Sequence, residues 1–136
     1  MNEFRNAVVQ AGIVSSVRMC RLVDEFAAAG VATLPVMLDA LRYNDAQVRG
    51  CAARALGRIE DGRSEVVSAL MAALEDEQLI VRQSAAAALG VVGPLSLSAV
   101  TALQHALSDE DHHVREFAEM ALDSYAQGQH SIARAS

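Results

Sequence analysis

The chain of 136 residues has no lysine and no tryptophan, two prolines, two cysteines and only 4% aromatic residues. All 11 of its basic side chains are therefore arginines. Without lysine there is no Schiff-base chemistry, no lysine general base and no P-loop lysine. Few aromatics and an excess of alanine argue against a β-sandwich and for helices packed close together on small side chains. A long hydrophobic run is also missing. The longest apolar stretch, residues 26–38, is broken by Gly30, Thr33 and Pro35, and it falls short of the roughly 20 residues of a membrane-spanning helix. The start, Met1-Asn2-Glu3-Phe4-Arg5, lacks the basic-then-apolar layout of a secretory signal. A soluble, cytoplasmic protein is the expectation. Cys20 and Cys51 have neither CxxC spacing nor a metal-ligand pattern, and read as two small buried hydrophobes in a reducing compartment.

What is present is apolar surface and acid. Apolar residues make up 52% of the chain, which excludes wholesale disorder. The formal net charge of −6 is the wrong sign for a protein that holds phosphate backbones. The length fits one domain or one short array of repeated units.

Three segments align without a gap: Val48 to Gly57, Val81 to Gly90 and Val114 to Asp123, at an interval of 33 residues. Leu41, Leu74 and Leu107 keep the same interval, as do Leu70 and Leu103. One period held by several positions at once is the signature of a stacked array. Within each unit the apolar residues follow helical spacing twice. Val48, Ala52, Ala55 and Leu56 mark a second-half helix, and Val66, Val67, Leu70, Met71 and Leu74 a first-half helix. Acidic turns at 43–45, 76–78 and 109–111 separate the halves, supplying carboxylates for the free N–H groups of the following helix. Gly57 and Gly90 fall where a second helix would stop. Thr33 ahead of Pro35, Ser64, and Ser96 or Ser98 are candidate caps of first-half helices.

The expected helices are 34–43, 46–58, 64–74, 79–91, 97–107 and 111–126, after an apolar-periodic pair at 3–14 and 17–29. In that pair Val17-Arg18 resembles the repeated Val-Arg but is two residues out of register. The organisation is thus a divergent capping hairpin (1–30), three repeats (31–63, 64–96 and 97–129) and a flexible polar tail (130–136), all in one structural domain.

The string Val-Arg-x-x-Ala-Ala-x-Ala-Leu-Gly, preceded by Leu-x-Asp-Glu, has its fullest copy in Leu74 to Glu77 and Val81 to Gly90. It resembles the HEAT-like repeats of the phycobilin-lyase type. The resemblance implies an all-α fold, a right-handed α-solenoid of about four helical hairpins with second-half helices lining the concave side. It also implies one enzymatic possibility, a subunit of a bilin lyase or related tetrapyrrole-handling enzyme. The same repeat serves many plain adaptors, so the fold does not decide the chemistry. HEAT-like hydroxylases with a di-iron centre carry His-Glu pairs within their repeats. Here Arg49-Gly50, Arg82-Gln83 and Arg115-Glu116 stand instead, and no His-Glu dipeptide occurs.

Two sets of residues stand out. Arg49, Arg82 and Arg115 form a regular column beside the buried stripe, read as a structural ladder to acidic turn residues such as Asp76 or Asp109 of the neighbouring unit. The face opposite the stripe, taken at positions 50, 53, 54 and 57 and their counterparts, changes from basic through small to acidic. Its candidate partner-binding residues are Arg54, Arg58, Gln83, Ala87, Glu116, Glu119, Met120 and Asp123. Such a gradient suits an extended segment or helix of a partner protein. His112 and His113, with Asp109, Glu110, Asp111 and Glu116, form the one cluster suggestive of a metal. Adjacent turn histidines are expected to diverge, and two ligands do not make a site. Phe117 and Tyr125 are expected to close the C-terminal end of the core, with self-association the other use for them.

No catalytic constellation and no cofactor motif competes with these features. The expectation is a non-enzymatic scaffold or adaptor that binds another protein on its concave face. It needs no metal and no cofactor and has neither nucleic acid nor membrane as partner, with a monomer favoured.

Overall fold

Alanine-rich segments with one apolar stripe each cannot bury that stripe alone, so they pair and then stack. The computed structural model describes residues 4–6, 8, 15–59, 63–92 and 96–135. Among these the order is α1 (Ser16–Ala28), a 3₁₀ turn (Val31–Thr33), α2 (Leu34–Ala40), α3 (Ala46–Ile59), α4 (Ser64–Ala73), α5 (Leu79–Val92), α6 (Leu97–Ala106) and α7 (His112–Ala135). Phe4, Arg5, Asn6 and Val8 are also helical; the rest of the expected helix at 3–14 lies outside the described residues. There is no strand among the described residues. The architecture is an all-α solenoid of helical hairpins.

The two layers differ in tightness. Second-half helices α1, α3, α5 and α7 pack side by side along the array, whereas first-half helices α4 and α6 touch only lightly. The cause is side-chain size. A Cβ on Gly57 would lie 3.1 Å from the Cα and Cβ of Ala88, and one on Gly90 would lie 3.3 Å from the Cβ of Ala121. The glycines therefore act differently from the expected helix stops. α3 and α5 run past them to Ile59 and Val92, and the missing side chains let the next helix come close. An array tight in one layer and splayed in the other curves toward the tight layer. The core between the layers holds Leu34, Met37, Val48, Leu56, Val66, Leu70, Val81, Leu89, Leu103 and Val114, all essentially sealed from solvent.

Turn chemistry sets the hairpins. Asp45 accepts from the Gln47 N–H at 2.8 Å, Asp76 from Gln78 at 2.9 Å, and Asp111 from His113 at 2.9 Å and Val114 at 3.1 Å. Ser96 caps α6 by accepting from the Ala99 N–H at 3.1 Å. Ser64 is the first helical residue of α4, with Arg63 at the cap position. The Thr33 hydroxyl donates back to the carbonyls of Phe26 and Gly30 at 2.6 and 2.7 Å. Gly30, at φ +85°, makes the reversal after α1, a left-handed conformation that costs glycine little.

Three expectations change here. Val17 is 66% exposed while Met19 and Val23 are buried, so Val17-Arg18 is not the repeat's Val-Arg; the core register of α1 is shifted. Cys20 and Cys51 are joined in a disulfide, with Cα atoms 5.7 Å apart. They sit where α1 and α3 face each other, a juxtaposition no CxxC spacing signals. Finally, α7 continues to Ala135, through positions 130–135 expected to be loose. No proline follows Pro94, so nothing in the chain forces that helix to stop.

Candidate functional site

The arginine column sits at the seam between units. Arg49 donates to both carboxylate oxygens of Asp76, at 2.9 and 3.1 Å, and its Nη1 to the carbonyls of Tyr43 and Asn44 at 2.9 and 3.0 Å. Arg82 repeats the pattern one unit on, with Asp109 at 2.9 and 3.4 Å and the carbonyls of Asp76 and Glu77 at 3.0 and 3.2 Å. Each fork thus ties the turn of its own unit to the turn of the next. Arg115 keeps the first half of the pattern, donating to the Asp109 carbonyl at 2.7 Å. A second tie runs alongside: the Ser16 hydroxyl donates to Asp45, and Gln83 Nε2 to Asp111 at 3.1 Å.

These bonds leave a mark on the carboxylates. The Ser16 hydroxyl, with the N–H groups of Gln47 and Val48, outweighs burial and holds Asp45 below its ordinary pKa. Burial pushes Asp76 up, but the Arg49 guanidinium and the Gln78 N–H more than reverse it. Asp111 is lowered by Gln83 and by the N–H groups of α7. Hydrogen bonds that favour the charged form act in this direction.

On the open side of the tight layer lies a cavity of ≈ 440 Å³ between α3, α5 and α7. Arg54 and Arg58 stand at its α3 side, Ile80, Gln83, Ser84, Ala87 and Val91 line α5, and Phe117 closes the α7 side. Arg58 pairs with Asp24 of α1. Arg54 is exposed, and its Nη2 lies 3.6 Å from Cys51 Sγ. Of the eight residues expected on the binding face, Arg54, Arg58, Gln83 and Ala87 line this cavity. Glu116, Glu119, Met120 and Asp123 do not; they are exposed on the far side of α7.

The face drawn from the sequence therefore splits in two. Gly50, Ala53, Gly57 and Ala86 are buried, because that side of each helix meets the next unit, not solvent. Only α7, with no described element beyond it, shows its equivalent positions. The other lining residues, Gly57, Ile80, Ser84, Ala88, Val91 and Phe117, were not among the eight. Val91 was within reach, since it follows Arg58 by one period of 33 residues and is 52% exposed.

His112, His113 and Glu116 bring ligand-type atoms within 4.8 Å of one another, all exposed. The imidazole rings lie 4.0 Å apart and tilted by 36°, so the two histidines stack where divergence was expected. The three lie within the first five residues of α7, at the positive end of the helix dipole, a field that opposes a cation. Among the described residues no helix is long and apolar enough to cross a membrane.

A tight layer of small-residue helices, a splayed outer layer and a seam of arginine forks define a repeat scaffold. The chain belongs to the HEAT repeat family, whose model matches residues 16–90 and 34–123. Among solved structures it is similar to human deoxyhypusine hydroxylase, at 29% identity and a TM-score of 0.67 over 79% of this chain. It spans 37% of the length of that enzyme. It is similar in fold to the CpcE–CpcF complex of phycocyanin lyase from Nostoc sp. PCC7120, with 18% identity and a TM-score of 0.71 over 91% of this chain and 78% of that one. An engineered protein matches at 25% identity and a TM-score of 0.60, over 81% of this chain and 56% of its own. No curated protein matches the chain.

Proposed function

We propose that the protein is a non-enzymatic interaction scaffold that holds a segment of a partner protein in the groove between α3, α5 and α7. The observation that carries this reading is the groove itself. Its apolar residues Ile80 and Val91 stay 39% and 52% exposed and line one cavity together, and two arginines flank them. Exposed apolar surface rimmed by charge is the usual form of a protein-binding patch. The test is capture of partners from the native host with three forms of the chain. Val91→Arg, and separately a double reversal of Arg54 and Arg58 to Glu, are expected to lose partners that the unchanged chain retains. Equal recovery with all three forms would remove the groove from consideration.

The rival reading, a tetrapyrrole-handling subunit, is separated by visible absorbance on mixing with a linear tetrapyrrole; an unchanged spectrum supports the scaffold. A cytoplasmic location goes with this proposal, on the condition that Cys20 and Cys51 are then held as thiols. Alkylation of protein drawn directly from its host distinguishes thiols from the disulfide.

A further inference from the structure

Glu116, Glu119, Met120 and Asp123 stand at i, i+3, i+4 and i+7 on α7, one face of a helix. The face lies opposite the one that buries Val114, Ala118 and Ala121. Met120 is 63% exposed at its centre, and no other described element packs against it. An apolar anchor framed by carboxylates is the chemical converse of the groove, where Ala87 and Val91 lie beside Arg54 and Arg58. Arg54 has no carboxylate partner among the described residues, and the Arg58–Asp24 pair is half-exposed and open to exchange.

The α7 face differs from those of α3 and α5 at the point of closest approach. Where α3 and α5 carry Gly57 and Gly90 to admit the next helix, α7 carries Asp123. Its side chain occupies the space that the close approach requires. The face suits a partner that meets it with long cationic arms.

We propose that the groove of one copy receives the α7 face of a second copy. Met120 rests on the Ala87–Val91 floor, and Glu119 and Asp123 meet Arg54 and Arg58. Both halves of the contact lie on the same chain, and their charges are complementary. The proposal rests on the reading of the groove as a docking surface, and it names a second copy as an occupant of that same site. Self-pairing would then compete with a foreign partner for the groove.

Sedimentation equilibrium of the full chain over a wide concentration series tests the proposal. The mean mass is expected to rise with concentration and the association to weaken with added salt. Arg54→Glu and Glu119→Arg are each expected to weaken self-association by about tenfold or more. Both positions are exposed, and circular dichroism checks that the variants keep their helices. An equal mixture of the two variants is expected to restore association, since the unaltered groove of the Glu119→Arg chain meets the unaltered helix of the Arg54→Glu chain. A single-chain mass at every concentration would overturn the proposal, as would variants without effect or a mixture that fails to recover. Loss of foreign partners by Val91→Arg in a chain that never self-associates would overturn self-pairing alone and leave the scaffold reading standing.

Discussion

Arg82 shows what one side chain contributes to an array. Its guanidinium is only 12% exposed, as is its partner Asp109, and it satisfies two backbone carbonyls besides. Arg82→Ala leaves Asp109 with only the Asp111 N–H as donor, and takes the guanidinium from two carbonyls. It is expected to cost about 2–3 kcal/mol in urea unfolding. Arg82→Lys keeps the charge but not the fork, so an intermediate loss is expected. Arg115→Ala should cost clearly less, because that residue holds a single carbonyl of its own turn. Equal losses at 82 and 115 would show that bridging to the next unit does not matter. The glycines make a second series at the same scale. Gly57→Ala forces a Cβ to 3.1 Å from Ala88 and is expected to destabilise by about 1–3 kcal/mol despite the better helix propensity. Gly128→Ala meets nothing within 4 Å, and by the same propensity it gains up to about 1 kcal/mol. Thermal unfolding of the two variants checks the opposite signs.

At the scale of elements, the Cys20–Cys51 bond ties α1 to α3 across a separation of 31 residues. Closing a loop of that size removes about 3–4 kcal/mol of freedom from the unfolded chain. Cys51→Ser is a mild replacement, since Ser84 already stands one period on. It is expected to lower the unfolding midpoint of the oxidised protein and to have little effect under reductant. The acidic turns give a pH dependence. Asp45, Asp76 and Asp111 are all held below their ordinary value of 3.8 in the folded chain. The unfolded chain therefore binds more protons in acid, so their contribution is complete above that value. It is lost as pH falls from there through the lower folded values. Unfolding midpoints measured down through this range should fall, and Arg49→Ala should flatten the Asp76 share of the decline. An undiminished midpoint in acid would contradict the turn assignments.

For the molecule as a whole, the period carried nearly everything about the fold. Val48, Val81 and Val114 announced three second-half helices, and the observed bounds of α2 to α6 differ from the expected ones by a few residues at most. The departures have physical causes. A helix wheel tells which side of a helix is apolar, but Gly57 looks the same as a terminator and as a contact point. Only the 3.1 Å approach of Ala88 decides between them. The candidate site was half legible for a related reason. Arg54, Arg58, Gln83 and Ala87 line one groove, whereas Glu116 and Met120, one period on from Gln83 and Ala87, belong with Glu119 and Asp123 to a different surface. Equivalent positions are buried by a neighbour in the middle of an array and bare where no described neighbour follows.

Local chemistry is written along the chain, and the sequence alone was sufficient for it. Periodic leucines and alanines, capping aspartates and an arginine near the start of each repeat's second-half helix pointed to helical hairpins joined by arginine forks. The tertiary structure decided which helix meets which. That choice brings Cys20 to Cys51, turns glycines into contacts, and separates a groove with two arginines from an acidic helix face. Such outcomes depend on distances between segments far apart in the chain, set by how closely small side chains let whole helices approach.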